Sequence, residues 1–351
     1  MSASEFSLRE AHQIVADLFA PRMTVYWTDL LLSLTIGAGA SVAAASASEP
    51  WSVPCLLVAV LALYRAAAFI HEIIHHQRRP AFRSFRIAWN LLCGVPLLVP
   101  SFLYENHLEH HSRHEYGTSS DGEYIPFAQR SPWSMVGFLL ASPLVPLVTV
   151  YRFALLAPLS WAYPRLRGTV YRRASSLRID IEYEWHEPTS PEQRRRWVLQ
   201  ESACFVLVWI VILLTATGVF TAALVLQWYL TVTGIVIVNS FRLLGAHRYQ
   251  SDEAEMTFVE QLLDSVNYPR HRALAELWAP VGLRLHALHH LFPALPYHAF
   301  SLAHRRLMAQ LEGDSPYRMT VSPGLWASLA LLWRRAANSR QKGMVTRQRD
   351  A

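Results

Sequence analysis

Four long apolar stretches, arranged as two closely spaced pairs, dominate the hydrophobic pattern of this chain. The first pair occupies residues 26–45 and 52–70, and the second pair occupies residues 202–220 and 222–241. Each stretch is close to the roughly 20 residues that a helix needs to cross a bilayer. The short links within each pair predict helical hairpins. The pattern therefore predicts an all-α integral membrane protein with four transmembrane helices in two hairpins.

Two further apolar stretches, residues 88–103 and 133–159, are interrupted by helix-breaking residues. The first contains Gly94, Pro96 and Pro100, and the second contains three prolines. Proline removes a backbone donor and disturbs a helix interior, and irregular backbone is tolerated at membrane depth only where protein buries it. We therefore expect both stretches to be buried or re-entrant segments and not transmembrane helices.

Composition and charge support a multi-pass membrane protein. Hydrophobic residues make up 52% of the 351 positions, and the mean hydropathy is +0.17. The formal net charge of +6 comes almost entirely from arginine, since the chain has a single lysine, Lys342. Arginines at 78–86 and 194–196 flank the hairpins, which predicts that these segments are cytoplasmic by the positive-inside rule. This placement indicates a membrane surface as the partner of the positive charge, and we expect no nucleic-acid partner.

Three regions are predicted along the chain. Residues 1–25 read as a short amphipathic cytosolic segment without the apolar core of a cleavable signal. Residues 26–310 form the membrane domain. Residues 311–351 are expected to contain a surface helix at 326–333 followed by a basic, disordered tail. The three cysteines lie singly, with no CxxC pair, so neither disulfides nor an iron–sulfur site is predicted.

Histidines are concentrated in three short motifs, each on the predicted cytoplasmic side. The motifs read HEIIHH at 71–76, HLEHH at 107–111 and HALHH at 286–290. Residues three or four apart share one face of a helix, so each motif aims several imidazoles at one point. Imidazole suits zinc, copper, iron and nickel. Eight or more converging histidines exceed what one four-coordinate zinc uses, which favours two neighbouring metal ions.

These motifs, in this order and between apolar stretches, resemble the histidine boxes of the membrane-bound fatty acid desaturase superfamily. The third motif continues as HHLFPALPYH, a continuation typical of that superfamily, and the resemblance covers about residues 52–310. It implies a cytosolic helical cap that holds two non-haem irons. It also implies O2-dependent insertion of a double bond into a long acyl chain of a lipid, an acyl carrier protein or a CoA ester. The chain has no fused cytochrome motif, so a separate ferredoxin or cytochrome with its reductase is expected to supply electrons.

The resemblance also assigns metal ligands residue by residue. They are His71, His75, His107, His110, His111, His286, His289 and His290. His76 follows His75 directly and could replace or join it. A further ligand is expected after the fourth apolar stretch, where His247 is our choice. The spacing leaves open a water-mediated role for Asn239, and the role of His114 is also open. Nearby carboxylates are expected to orient the imidazoles; they are Glu72, Glu109, Asp121, Glu123 and Asp264.

Three alternative functions remain on the sequence alone. A lipid or carotenoid hydroxylase or ketolase would use the same diiron site. His71 and His75 also match HExxH, in which two histidines hold zinc and Glu72 would act as the general base of a membrane metalloprotease. That interpretation leaves the second and third motifs without a role. A histidine-rich metal transporter would be expected to carry its histidines inside the spans, where this chain has none of the three motifs.

Overall fold

The computed structural model describes the backbone of residues 7–349 and the side chains of residues 7–339. This part of the chain contains helices and isolated bridges but no strand, in agreement with the predicted all-α class. The helices, in chain order, are α1 (Leu8–Val15), α2 (Met23–Ser46), α3 (Ser52–His75), α4 (Phe82–Trp89), α5 (His107–His110), α6 (Trp133–Leu140), α7 (Leu144–Tyr151), α8 (Ala157–Ala162), α9 (Pro164–Ala174), α10 (Pro191–Ala216), α11 (Ala222–Ala246), α12 (Phe258–Asp264), α13 (Arg272–Trp278), α14 (His286–Leu291), α15 (Phe300–Gln310), α16 (Pro316–Met319) and α17 (Leu325–Arg349).

Five helical segments in the described part of the chain are long and apolar enough to cross a membrane. Four of them, α2, α3, α10 and α11, correspond to the four predicted stretches. The fifth runs from Leu144 to Ala162 and overlaps the stretch at 133–159, which the sequence predicts to be buried or re-entrant. A π-helical turn at Arg152–Leu156 lies immediately before Pro158. Such a turn shifts the hydrogen-bond register, so the helical path continues where a proline would otherwise break it.

The stretch at 88–103 is broken as the sequence predicts. Helix α4 passes into a π-helical turn at Asn90–Gly94, and a 3₁₀ turn follows at Ser101–Tyr104. The Asn90 carbonyl oxygen Oδ1 accepts a hydrogen bond from the Ser101 backbone, 2.8 Å away, and ties the two turns together. The indole of Trp89 donates to the carbonyl of Ala66 on α3 at 2.7 Å. This segment therefore folds back onto α3 and does not form a long helix.

The residues Met23–Leu108 and Ala141–Val238 form one compact unit, here called the hairpin unit. Its helices α2 and α3 approach closely at Gly37, where a Cβ atom would lie 2.6 Å from Leu63 Cγ. Asp29 on α2 and Arg65 on α3 are both charged residues within apolar helices. They pair with each other, since Arg65 Nε and Nη2 each donate to the Asp29 carboxylate at 2.6 Å. Mutual pairing offsets the cost of removing both charges from water.

A buried ionic cluster ties α10 to the segment around α8 in the same unit. Glu201 is 1% exposed, and it accepts hydrogen bonds from Arg152 Nη2 at 2.6 Å and Arg167 Nη1 at 2.9 Å. The indole of Trp161 donates to the same carboxylate at 2.8 Å. A buried charge is tolerated when its partners and hydrogen bonds are complete, and removing one member leaves the others uncompensated.

We expect Glu201→Ala to destabilise the protein by about 3–5 kcal/mol, the range for breaking a buried ion pair from one side. Two arginines would then face a buried region without their shared carboxylate. Thermal unfolding in detergent measures the effect. Glu192→Gln removes an exposed carboxylate from the same helix and is expected to leave the unfolding midpoint nearly unchanged. Equal midpoints for the two variants would show that the cluster contributes little to stability.

The residues Met1–Arg22, Glu109–Leu140 and Asn239–Ala351 form the other compact unit, here called the cap unit. Helix α1 starts at its N-cap Ser7 and buries Ala11 and Val15 in a core that includes residues of α14 and α15. Helix α17 covers the predicted surface helix and continues to Arg349, where the sequence predicted a disordered tail. Alanine, arginine and glutamine are good helix formers, which explains why the helix continues through this basic segment.

Candidate metal centre

The first histidine motif lies at the end of α3, within the hairpin unit. Apolar residues keep the helix regular up to Ile70, and the helix ends at His75. His71 and His75 are four residues apart, and their ring centroids lie 4.9 Å apart. The ring of His107 lies 4.7 Å from that of His71 and 5.0 Å from that of His75. The hairpin unit therefore presents a trio of neighbouring imidazoles from the first and second motifs.

His107 is held in place by its neighbours along the chain. Its ring stacks on Tyr104 with a centroid distance of 4.6 Å and an interplanar angle of 11°. The carboxylate of Glu105 accepts hydrogen bonds from Gln193 Nε2 at 2.8 Å and Trp197 Nε1 at 3.1 Å. These contacts anchor the start of the second motif to the first turns of α10.

His76 is placed differently from the other motif histidines. Its ring lies 4.7 Å from that of Phe82, and its Nε2 atom lies 3.7 Å from the Glu72 carboxylate. It belongs to neither group of histidines that the structure brings together. The reason is geometric, because the helix ends there and the backbone of His76 leaves helical geometry. We therefore do not include His76 among the ligands of the proposed site.

Glu72 does not occupy the position of a protease base. It is 1% exposed, and its carboxylate accepts a hydrogen bond from the hydroxyl of Tyr26 on α2. A general base must reach a metal-bound water and its substrate. Glu72 instead joins α2 to α3, which removes the main support for the metalloprotease interpretation.

The cap unit holds a quartet of histidines that meet at their Nε2 atoms. His286 Nε2 lies 2.9 Å from His247 Nε2 and 3.1 Å from His290 Nε2. His110 Nε2 lies 3.2 Å from His247 Nε2. His286 and His290 project from α14 four residues apart, His247 directly follows α11, and His110 ends α5. One potential ligand atom from each of the four lies within 4.8 Å of the others.

Hydrogen bonds on the far side of two rings fix which nitrogen faces the centre of the quartet. His110 Nδ1 donates to Asp121 at 2.8 Å. His247 Nδ1 lies 2.8 Å from the hydroxyl of Tyr116, which itself donates to Asp264 at 2.8 Å. The protons therefore sit on Nδ1, and both Nε2 atoms carry lone pairs. Two lone pairs that face each other at 3.2 Å cannot hydrogen-bond, but they can bind a cation between them.

The electrostatics of the quartet keep two of its histidines neutral. Burial lowers the pKa of His247 well below its usual value, and the charges of His110 and Arg242 act in the same direction. Burial also lowers the pKa of His290 well below its usual value, and the neighbouring histidines add to the effect. For His110 burial opposes protonation, but the Asp121 carboxylate outweighs it and raises the pKa. Neutral imidazole is the form that binds metal.

A pair of histidines, His111 and His289, lies beside the quartet in the cap unit. His289 Nε2 and His111 Nε2 are 2.9 Å apart, and the two ring centroids are separated by 4.5 Å. His289 is fully buried and stacks on Phe300. His111 and His110 are consecutive, so the second motif supplies one ring to the quartet and one to this pair. The third motif, on α14, supplies two rings to the quartet, His286 and His290, and one to this pair, His289.

The donor set of the quartet fits a transition-metal ion. Ligands about 2.1 Å from a common metal lie roughly 3.0 Å apart when they are neighbours in an octahedron. The three measured Nε2–Nε2 separations, 2.9, 3.1 and 3.2 Å, match that spacing. Carboxylate and phenol partners behind the rings are the usual supports of histidine ligands. The donor set of the quartet therefore fits iron or another imidazole-preferring metal.

The two remaining predicted candidates lie apart from the quartet. The amide oxygen of Asn239 accepts a hydrogen bond from Arg242 Nη2 at 2.8 Å. The side chain of His114 is 76% exposed and pairs with Glu255 at 2.7 Å. Neither belongs to a group of histidines that could share a metal. Of the residues whose roles the sequence left open, only His247 is brought into the quartet.

Sequence reasoning missed the tyrosines around the quartet. Tyr116 and Tyr124 both donate to the Asp264 carboxylate, at 2.8 and 3.0 Å. Both rings are almost fully buried. Asp121 and Asp264 were expected beside the imidazoles, but tyrosine in a polar loop carries no comparable signal. The one clue was their position, since both tyrosines follow the second motif within 15 residues of His110.

The quartet also constrains the membrane topology. His110 and His247 are in contact, so the segments that carry them lie on the same side of the membrane. Three long apolar helical segments separate them in the chain: Leu144–Ala162, α10 and α11. An odd number of crossings would place the two histidines on opposite sides, so an even number of these segments crosses. We expect Leu144–Ala162 to be the segment that does not cross, since it is the shortest and carries the buried Arg152.

Cysteine labelling tests this topology. Single cysteines placed at the exposed positions Ser120 and Glu182, which flank Leu144–Ala162, are expected to react with a membrane-impermeant reagent from the same side. A cysteine at Thr221, between α10 and α11, is expected to react from the opposite side. Opposite labelling of positions 120 and 182 would show that Leu144–Ala162 crosses the membrane.

Comparison with known proteins defines the class of this protein. The sequence pattern of the fatty acid desaturase family matches residues 49–321, and the chain belongs to this family. It is therefore an oxidoreductase of the desaturase and hydroxylase superfamily. A ceramide hydroxylase of Caulobacter vibrioides (strain NA1000 / CB15N) is 39% identical to it over 353 aligned positions, which cover 100% of this chain and 99% of that protein. No solved structure matches the chain.

Proposed function

We propose that this protein is an O2-dependent lipid hydroxylase that acts on a ceramide-type lipid. The observation that carries the proposal is the 39% identity with a ceramide hydroxylase over the full length of both chains. The buried histidine quartet supports the chemistry, because imidazole ligands suit iron. The long apolar helices support a substrate that resides in the membrane.

The proposed cofactor is a pair of non-haem irons. One iron is held by the quartet of His110, His247, His286 and His290. The ligands of the other iron are assigned from the family's histidine motifs to the motif histidines outside the quartet, which are His71, His75, His107, His111 and His289. When bound, the irons supply the activation of O2 that attack on an unreactive C–H bond requires.

The roles of the protein side chains follow from their contacts. Asp121 holds His110, and Tyr116 together with Asp264 holds His247, so that both Nε2 atoms face the centre of the quartet. Three of the quartet histidines are at most 4% exposed, which limits the access of bulk water. Such fixed, dry surroundings favour a single orientation of the reacting groups.

The reaction requires electrons from outside the chain. Hydroxylation converts a C–H bond, O2, two electrons and two protons into an alcohol and water. A ferredoxin or cytochrome with its reductase is the proposed source of electrons, and the cytoplasm is the proposed side of the histidine motifs, as the arginine distribution predicts.

Acyl desaturation is the second candidate. It is favoured by the family match at residues 49–321 and by the amino-acid sequences of the three histidine motifs. It consumes the same O2, electrons and protons but removes two hydrogens from neighbouring carbons and releases two waters. The two reactions therefore differ in the product and not in the cofactor. In this second candidate, the acyl chain of the substrate is carried by a lipid, an acyl carrier protein or a CoA ester.

Product analysis distinguishes the two candidates. The protein is expressed in a bacterial host that is supplied with ceramide, and total lipids are compared by mass spectrometry with those of a His286→Ala strain. A ceramide heavier by one oxygen atom, absent from the variant, is the expected product. An acyl chain lighter by two hydrogens, with no oxygenated ceramide, would instead establish the desaturase.

A further inference from the structure

A small cavity in the cap unit lies behind the histidine quartet and has no role in the proposed reaction. Its volume is about 250 Å³, and His247 forms part of its wall. Arg248 and Arg335 line it, together with Ser322 and Ser328. The rest of the lining is apolar. The cavity therefore combines two positive charges and two hydroxyl groups within an apolar wall.

The charges of this cavity are not balanced by its own lining. Among the described residues that line it there is no aspartate or glutamate. Arg335 Nη1 is buried and has no hydrogen-bond partner in the described part of the chain. Arg248 Nη2 donates to the backbone carbonyl of Met319, which carries no charge. The Asp264 carboxylate, outside the lining, acts on Arg248, but Arg335 repels Arg248. Two neighbouring cations at one partly buried site favour the binding of an anion.

The donors suit a tetrahedral oxyanion. A guanidinium group presents several N–H donors in a planar fork and binds phosphate oxygens in pairs. The hydroxyls of Ser322 and Ser328 lie 2.8 Å apart, and either can donate to an anionic oxygen. Both serines lie at the N-terminal end of α17, where the helix dipole adds positive potential.

We propose that this cavity binds a phosphate group. Arg335 and Arg248 contact its oxygens, and the two serine hydroxyls complete the site. His247 is the one residue that both lines the cavity and belongs to the quartet. Its existence does not depend on the proposed hydroxylase reaction, because it rests only on the lining residues and their charges.

Two sources of the phosphate group are chemically equivalent at the site. One is free inorganic phosphate, and the other is the headgroup of a phospholipid. The surface beside the cavity is apolar, since the lining residue Leu331 is 44% exposed and Trp326 on the same helix is 73% exposed. A lipid headgroup could enter the cavity while its acyl chains remain against these side chains.

The test uses the purified full-length protein in a neutral detergent. Potassium phosphate is compared with potassium chloride at equal ionic strength, and the midpoint of thermal unfolding is measured. Lipids that remain bound are extracted from the same preparation and identified by mass spectrometry. Arg335→Gln removes the unpartnered guanidinium, and Arg334→Gln removes an exposed one from the adjacent position of α17. Iron content and circular dichroism verify that each variant is folded.

If free phosphate is the ligand, we expect phosphate to stabilise the wild type and Arg334→Gln. The affinity of Arg335→Gln for phosphate is then expected to be lower by about tenfold or more. If a phospholipid is the ligand, we expect a bound lipid in the wild type and in Arg334→Gln but not in Arg335→Gln. If Arg335→Gln does not fold, Ser328→Ala takes its place in the same comparison. Equal behaviour of Arg335→Gln and the wild type in both measurements, or the absence of both effects in the wild type, would overturn the proposal.

Discussion

Changing His286 to alanine is expected to remove about half of the bound iron and to abolish turnover. Within the quartet, His286 Nε2 contacts both His247 Nε2 and His290 Nε2, at 2.9 and 3.1 Å. Its loss leaves three ligands around one of the two proposed ions. The motif histidines outside the quartet are unchanged, so the other proposed ion is expected to remain. Elemental analysis of aerobically purified protein measures the iron.

His114→Ala is the matched control for this experiment. His114 follows the second motif by three residues, but its side chain is 76% exposed and it pairs with Glu255. Its removal is expected to leave iron content and turnover unchanged. Full iron in His286→Ala, or equal iron loss in the two variants, would show that the quartet does not hold the metal.

Changing Asp121 to asparagine is expected to weaken iron binding or activity about 10–100-fold, the range for groups that orient metal ligands. One carboxylate oxygen accepts from both His110 Nδ1, at 2.8 Å, and the backbone of Gly117, at 3.0 Å. The other oxygen accepts from the backbone of Glu123 at 3.0 Å. An amide supplies one acceptor and one donor, so at least one of these three donors would face another donor.

Glu255→Gln provides the comparison for Asp121→Asn. Both carboxylates contact a histidine Nδ1, but Glu255 is about half exposed and its partner His114 lies outside the quartet. Iron release to a chelator, followed over time, is the measurement. We expect fast release from Asp121→Asn and release at the wild-type rate from Glu255→Gln. Unchanged release from Asp121→Asn would mean that the carboxylate does not support the ligand.

The spacing of the histidines contained much of the information about the candidate site. Two pairs of motif histidines have a spacing of four residues: His71 with His75, and His286 with His290. The structure places the first pair at the end of α3 and the second pair on α14. Helical periodicity is a local property, so it can be read from the sequence. His247 was assigned from the resemblance to the desaturase superfamily, which implies a further ligand after the fourth apolar stretch.

Features that depend on distant contacts could not be read in the same way. The pairing of Asp29 with Arg65 joins residues 36 positions apart, and the contact of Tyr116 with Asp264 joins residues 148 positions apart. The continuity of the helical path through Leu144–Ala162 was also not predicted, because proline propensity is local, whereas the π-helical turn before Pro158 is fixed by the surrounding fold. His76 has the same side chain as its neighbour, and only the end of α3 separates their environments.

The most direct test of the proposed function is the origin of the oxygen in the product. The purified protein, loaded with iron and supplied with ceramide and a one-electron donor system, is incubated under dioxygen labelled with heavy oxygen. We predict a hydroxylated ceramide that carries one heavy oxygen atom and is absent with His286→Ala. A ceramide that has lost two hydrogens and gained no label, or a hydroxyl group whose oxygen comes from water, would contradict hydroxylation by dioxygen.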